Sequence, residues 1–352
     1  MRVDYRNLPL RASIVLFGLM CVGYALAQEG GEAAKIDWFD VAMKTIAGLT
    51  IFLYGVSRLS SSLKTIAGER MRRMIGMGTG DRYRALASGT VATVILDSSS
   101  LTIILVITFV DAGLMSMVQA LPVVLGANIG TTFSSQIFAL GIDDYAPIIL
   151  LAGFLIRVSL SSDQGKAAGT AILGIGLVLF GLNTIGDAAE PLQEHQGVID
   201  WLKTMATPIY GIMAGAAITV LIQSSSAMLG IIITLAGQGL IPPEAGIAMM
   251  LGAEIGTCAD TLLATAGRSR EALRVGLFHL LFNIVSVLVG ALLIYQIVAF
   301  AAWTSDDAAQ QIANAHVAFN VAGALVVLVF VRAAGWAIER LVPRRSPAPT
   351  AA

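Results

Sequence analysis

The chain is 352 residues long, 56% hydrophobic and 13% charged, with a formal net charge of −1. Soluble domains carry about 25% charged residues, so this composition excludes a soluble enzyme, and the lack of net basic charge excludes a nucleic-acid binder. Long continuous apolar runs, in place of the roughly 10-residue alternation of a membrane β-barrel, predict an all-α polytopic membrane protein; 36 glycines suit close helix packing and helix breaks.

Residues 1–27 read as a secretory signal: Arg2, Arg6 and Arg11, then an apolar run from Ala12 to Leu26, then the small-x-small sequence Ala25-Leu26-Ala27. The run is about 15 residues, short of the roughly 20 a span needs. An uncleaved first membrane helix is the alternative. Cleavage removes Cys21 and leaves Cys258 alone, so no disulfide or cysteine metal site forms within one chain.

Two segments then repeat. Thr93-Val-Ile-Leu-Asp-Ser-Ser-Ser100 recurs as Thr219-Val-Leu-Ile-Gln-Ser-Ser-Ser226, an offset of 126 residues. The same offset carries Gly126-Ala-Asn-Ile-Gly-Thr131 onto Gly252-Ala-Glu-Ile-Gly-Thr257, and Gly48, Leu53, Gly55 and Gly89 onto Gly174, Leu179, Gly181 and Gly215. Charges at equivalent positions change sign. Lys64, Arg70, Arg72, Arg73, Arg82 and Arg84 follow the first opening helix, outnumbering Glu69 and Asp81; Asp187, Glu190, Glu194 and Asp200 follow the second, against Lys203. Asp143 and Asp144 follow the first glycine block, whereas Arg268, Arg270 and Arg274 follow the second. Lys and Arg favour the cytoplasmic side, so the two repeats are expected to cross the membrane in opposite senses.

A path follows from this reading. The first inverted repeat occupies 37–162: a span inward at about 37–62, a re-entrant hairpin near 85–113, a span outward near 118–140 and a return near 146–162. The second occupies 167–300, with its hairpin near 208–239, a span near 243–265 and a helix near 275–300. A final membrane helix lies within 312–338, and 343–352 read as a disordered basic tail.

Three serines in an apolar segment suit a broken helix lining a cavity. The freed N–H groups and positive helix end attract an oxyanion, while hydroxyls and freed carbonyls coordinate a hard cation such as sodium. Helix–helix glue is the structural alternative for one triplet, and two triplets in register argue against it. For Asn128, Thr131 and Thr257, a direct ligand role and plain close packing of their blocks stand level.

These motifs resemble the bacterial sodium/phosphate cotransporter family, related to the type II sodium-dependent phosphate transporters. The family's Gln-Ser-Ser-Ser stands at Gln223-Ser224-Ser225-Ser226, and its Gly-Ala-Asn-Ile-Gly-Thr-Thr at 126–132. Arg270-Glu271-Ala272-Leu273-Arg274, His279-Leu-Leu-Phe-Asn283 and Ala315-His316-Val-Ala-Phe319-Asn320 follow in the family's order, and the likeness spans roughly 45–335. The resemblance implies sodium-coupled symport of inorganic phosphate by alternating access across the bacterial inner membrane. Phosphate is expected at Ser98, Ser99, Ser100, Gln223, Ser224, Ser225 and Ser226. Sodium is expected at Asp97, Asn128, Thr131, Glu254 and Thr257. No cofactor and no nucleotide-binding loop is implied, leaving the ion gradient as the energy source.

The sequence departs from the family at two positions: Asp97 replaces Gln in the first repeat, and Glu254 replaces Asn in the second. A carboxylate at membrane depth costs on the order of 2.5–3.5 kcal/mol on insertion scales. Four readings stay open: extra cation ligands, proton-linked coupling, a changed anion, or a structural pairing with Arg157 or another cation. Asp260 could face the same cavity, and Asp111 is expected at the interface. His279 and His316 read as hydrogen-bonded structural groups. The remaining alternatives are a proton- or cation-coupled transporter of another small anion and a phosphate-binding membrane sensor without transport.

Overall fold

The computed structural model describes residues 36–77 and 80–343. The expected signal segment, Cys21, and the tail from Arg344 lie outside the described residues, as do the side chains of Glu69, Arg70, Arg72 and Arg73. Among the described residues the chain is helical, without strands.

In chain order the helices are α1 (Trp38–Met77), α2 (Arg82–Leu96), α3 (Ser99–Asp111), α4 (Met117–Phe138), α5 (Ala146–Ser159), α6 (Asp163–Ala189), α7 (Gln196–Thr204) and α8 (Pro208–Ile222). They continue as α9 (Ser225–Gly237), α10 (Pro243–Gly256), α11 (Cys258–Leu263), α12 (Arg270–Leu292), α13 (Ile294–Thr304), α14 (Ala308–Val329) and α15 (Val331–Leu341). Among the described residues, five segments are long and apolar enough to span a bilayer: Trp38–Ala67, Asp163–Glu194, Pro243–Leu263, Arg270–Leu292 and Ala308–Val329. Two bent pairs, α4 with Asp143–Ser159 at 76° and α7 with α8 at 95°, raise the number to seven. The protein is therefore a multi-pass membrane protein. The helix expected near 275–300 is two, broken at Leu293, and the last one breaks at Phe330.

Glycines set the frame. A Cβ on Gly89 would stand 2.1 Å from the Val123 carbonyl oxygen, and one on Gly126 would stand 1.9 Å from that of Leu86. Contacts this close press α2 backbone to backbone onto α4. The equivalent pair, α8 and α10, repeats the contact with Gly215 against Met249 (2.0 Å) and Gly252 against Ile212 (2.1 Å). Every one of these residues lies 126 positions beyond its counterpart.

The two halves also meet self-complementarily. Gly48 on α1 abuts Gly181 and Ile185 on α6, while Gly174 on α6 abuts Gly55 and Leu59 on α1. Residue i touching j, with j's counterpart touching i's, is the signature of a two-fold contact. Because later residues of α1 meet earlier residues of α6, the two helices are antiparallel. The core follows the same division. One buried cluster gathers α2, α3 and α4 with Phe278 of α12 and Leu328 of α14. A second gathers α9 and α10 with Val287 of α12 and Ile312 of α14. Helices α12 and α14 thus serve both halves, each offering opposite ends to the two clusters.

Candidate functional site

Each half contains one interrupted helix pair. Between α2 and α3, Asp97 adopts the left-handed conformation at φ 48° and ψ 38°; between α8 and α9, Gln223 does so at φ 59° and ψ 33°. They are the only non-glycine residues with positive φ among the described residues. That conformation costs a residue with a Cβ of order 1–3 kcal/mol and concentrates at functional sites. The next residue then turns extended and caps the following helix. Ser98 Oγ accepts from the Leu101 N–H at 3.2 Å, and Ser224 Oγ from the Ala227 N–H at 3.1 Å. The first serine of each triplet is an N-cap whose hydroxyl hydrogen stays available for a ligand.

The two breaks face one another across a small polar cavity lined by Asp97, Gln223, both serine triplets and Thr257. Its volume is about 30 Å³, far below the roughly 300–1,000 Å³ of pockets for drug-sized ligands. Ser100 and Thr257 close the seam between halves, their hydroxyls 3.3 Å apart. The N-termini of α3 and α9 both open here, so two sets of unpaired N–H groups and two positive dipole ends converge. Among the described residues no lysine or arginine lines the cavity. Asp97 supplies its one carboxylate, which accepts a hydrogen bond from the Ser134 hydroxyl on α4.

The other expected cation ligands lie apart from that lining. Asn128 donates to Asn283 at 3.2 Å, and Thr131 donates to the Asn128 carbonyl at 2.6 Å. Glu254 is 3% exposed, and its Oε1 accepts from His316 Nε2 at 2.8 Å and Asn320 Nδ2 at 2.9 Å. His316 Nδ1 shares a hydrogen bond with Ser135 on α4, and His279 Nδ1 does the same with Thr261 on α11. Ser135 and Thr261 are again 126 residues apart, so the two His-x-x-Phe-Asn runs are equivalent struts of the two halves. Sequence reasoning missed the roles of Ser134 and Ser135, although extending the repeat a few residues past Thr131 reveals both. Arg157 hydrogen bonds Thr170, away from either carboxylate. Asp111 accepts from the Ser269 N–H at 2.8 Å and sits 3.7 Å from Arg268. The Ser269 N–H, with Arg268 behind it, holds the Asp111 carboxyl below the usual carboxylate range.

Two interrupted helix pairs converging on a small polar cavity, within a bundle of membrane-length helices, define a membrane transport protein of the broken-helix class. The family is shown by comparison: the description Na+/Pi-cotransporter matches twice, over residues 51–187 and 195–331. The chain belongs to that family of phosphate transporters. It is 28% identical over 305 residues to the "Uncharacterized protein YqeW" of Bacillus subtilis (strain 168), covering 84% of this chain and 97% of the relative. It is 26% identical over 291 residues to the "Putative inorganic phosphate export protein YjbB" of Escherichia coli (strain K12), covering 81% of this chain but 53% of that relative, about half its length. It is 37% identical to the human "Sodium-dependent phosphate transport protein 2C" over 81 residues, 22% of this chain and 14% of the other. No solved structure matches.

Proposed function

We propose that this protein is a secondary active transporter that couples sodium to the movement of inorganic phosphate by alternating access in a bacterial inner membrane. The observation that carries the proposal is the pair of serine-capped helix N-termini opening on one small cavity beside a single lining carboxylate. Phosphate is held by the N–H groups of α3 and α9 and by the serine hydroxyls at 98–100 and 224–226. With no lysine or arginine in the lining, Asp97 and a phosphate dianion repel by several kcal/mol unless a cation lies between them. Sodium therefore binds first. The Asp97 carboxylate, the serine hydroxyls and Thr257 offer the hard oxygen ligands it prefers. Glu254, already engaged by His316 and Asn320, acts on coupling through the packing of α10 and α14.

The halves act as inverted repeats with re-entrant hairpins. The antiparallel contact of α1 with α6 and the sign reversal of the flanking charges support that reading. Rocking one half against the other then exposes the same cavity to each side in turn.

Export is a second reading of the same site, favoured by the name of the Escherichia coli relative. Proteoliposomes separate the possibilities. Labelled phosphate uptake is measured with an imposed sodium, lithium or proton gradient, and efflux from preloaded vesicles is measured with the gradients reversed. Sodium-driven movement is expected. Absence of gradient-driven movement and of phosphate counterflow would overturn the transport assignment.

A further inference from the structure

Helix α15 is laid against the starts of three other helices. Just before it, the Leu328 carbonyl accepts a hydrogen bond from Arg82, the first residue of α2, at 3.4 Å. At its middle, a Cβ on Gly335 would meet Leu121 at 3.5 Å and Val118 at 3.8 Å, both in the opening turns of α4. At its end, Arg274 in the second turn of α12 donates to the Val342 carbonyl from Nε at 3.0 Å and from Nη2 at 2.8 Å. Arg270, the first residue of α12, donates to the Pro343 carbonyl. These are the two arginines of the Arg-Glu-Ala-Leu-Arg run, which the cavity does not use.

On the membrane path read from the loop charges, the starts of α2, α4 and α12 all lie at the cytoplasmic boundary. An element that meets all three in turn runs along that boundary. Its 11 residues rise about 16 Å, roughly half of the hydrocarbon core, so α15 does not cross it.

The two sides of α15 differ. Val331, Gly335 and Ile338 are buried against the first-half cluster. Arg332, Trp336 and Arg340, spaced four apart, form one exposed stripe on the other side. The Arg340 guanidinium stacks 3.9 Å from the centre of the Trp336 ring. Exposed Ala333, Ala337 and Leu341 run beside that stripe as an apolar one. Among the described residues, no carboxylate pairs with Arg332 or Arg340. The one acid of the helix, Glu339, lies instead 4.0 Å from the buried Arg274. Arg82 extends the cationic surface, stacked 4.9 Å from the centre of the exposed Tyr83 ring.

A helix lying along a bilayer with one buried side, one apolar stripe and one cationic, aromatic stripe has the composition of an interfacial helix. Its arginines reach the headgroup layer while the indole rests at the boundary. Guanidinium groups without a carboxylate partner recruit an anion, and the anion at that depth is a lipid phosphate.

We propose that α15 is an interfacial helix whose Arg332–Trp336–Arg340 stripe docks the headgroups of anionic phospholipid. The clamp of Arg270 and Arg274 on the Val342 and Pro343 carbonyls holds the helix along the surface for that contact.

The test uses the full chain in proteoliposomes, with Trp38→Phe, Trp201→Phe and Trp303→Phe leaving Trp336 as the only fluorophore. Emission is measured with phosphatidylglycerol or phosphatidylcholine carrying brominated acyl chains, at equal mole fraction. Phosphatidylglycerol is expected to quench preferentially. Arg332→Gln and Arg340→Gln should each lower that preference about fivefold, and lysine at the same positions should retain most of it. If the three-tryptophan variant does not fold, the difference in quenching between wild type and Trp336→Phe reports the same contact. Equal quenching by both lipids, or a preference that survives both glutamines, overturns the recognition of anionic lipid. Absence of quenching by either lipid would show the stripe covered by protein, a second copy or another partner, and also overturns the proposal.

Discussion

His316 Nε2 lies 2.8 Å from Glu254 Oε1, and both side chains are 3% exposed. The contact joins α10 of the second half to α14, and the other imidazole nitrogen continues it to Ser135 on α4 of the first half. The counterpart of Glu254 is Asn128, which meets Asn283 through a plain amide contact. A neutral solution to the same packing problem therefore exists within this molecule. His316→Ala strips a buried carboxylate of a partner, a change that costs about 3–5 kcal/mol. Glu254→Asn removes the charge together with its need for that partner and costs much less. Thermal unfolding followed by size-exclusion chromatography in detergent ranks the two variants. The reverse order would show that the carboxylate is not held by His316.

Asp97 lines the cavity, and its hydrogen-bond partner there is a serine hydroxyl. An asparagine keeps an acceptor for Ser134 and removes the negative charge. Asp97→Asn is therefore expected to lower the sodium dependence of phosphate uptake in liposomes, or to shift its pH profile, while leaving the cavity intact. Identical sodium and pH dependence in wild type and variant would exclude a coupling role for this carboxylate.

Much of the frame was legible because its determinants are local and repeated. The triplets at 98–100 and 224–226, the glycine blocks and the exchange of loop charges lie in sequence order, and the structure places both triplets on one cavity. Asp97 and Gln223 could be read as breaks, since an apolar run interrupted by polar residues needs a turn. Glu254 was different. Its sequence position three residues before Thr257 suggests a shared helix face and so a place in the cavity, but α10 ends at Gly256 and Thr257 is its cap. Thr257 reaches Ser100 while Glu254 reaches His316. Its partner lies 62 residues away on a helix that serves both halves, and no local pattern announces that pairing. The breaks at Leu293 and Phe330 were likewise invisible within uninterrupted apolar sequence.

Asp111 ties the end of α3 to the segment before α12 through the Ser269 N–H and Arg268. Its carboxyl is held below the ordinary range. A depressed folded value gives stabilisation that is present above the unfolded value of about 3.9 and is lost as pH falls through the folded value. Asp111→Asn is expected to lower stability at neutral pH. The gap between variant and wild type should then close as the solution is acidified through that range. Melting curves in detergent across acidic pH report this, and a pH-independent gap would assign the loss to something other than the charge.

The backbone contacts of α2 with α4, and of α8 with α10, leave no room for a methyl group. A Cβ on Gly126 or Gly252 would stand 1.9 Å or 2.1 Å from a carbonyl oxygen of the facing helix, and neither oxygen sits on a flexible side chain that could swing away. Relief requires α2 or α8 to move bodily, and each carries a break residue at its end. Gly126→Ala and Gly252→Ala should therefore both abolish transport, and by similar amounts, because the contacts are equivalent. Gly237→Ala meets only the Ala309 methyl at 3.7 Å, an ordinary contact, and serves as a tolerated control. If Gly126→Ala is inactive but monodisperse, the damage lies in placing Asp97 against Gln223. Wild-type uptake by either variant would mean that the helices do not approach as closely as their backbones indicate.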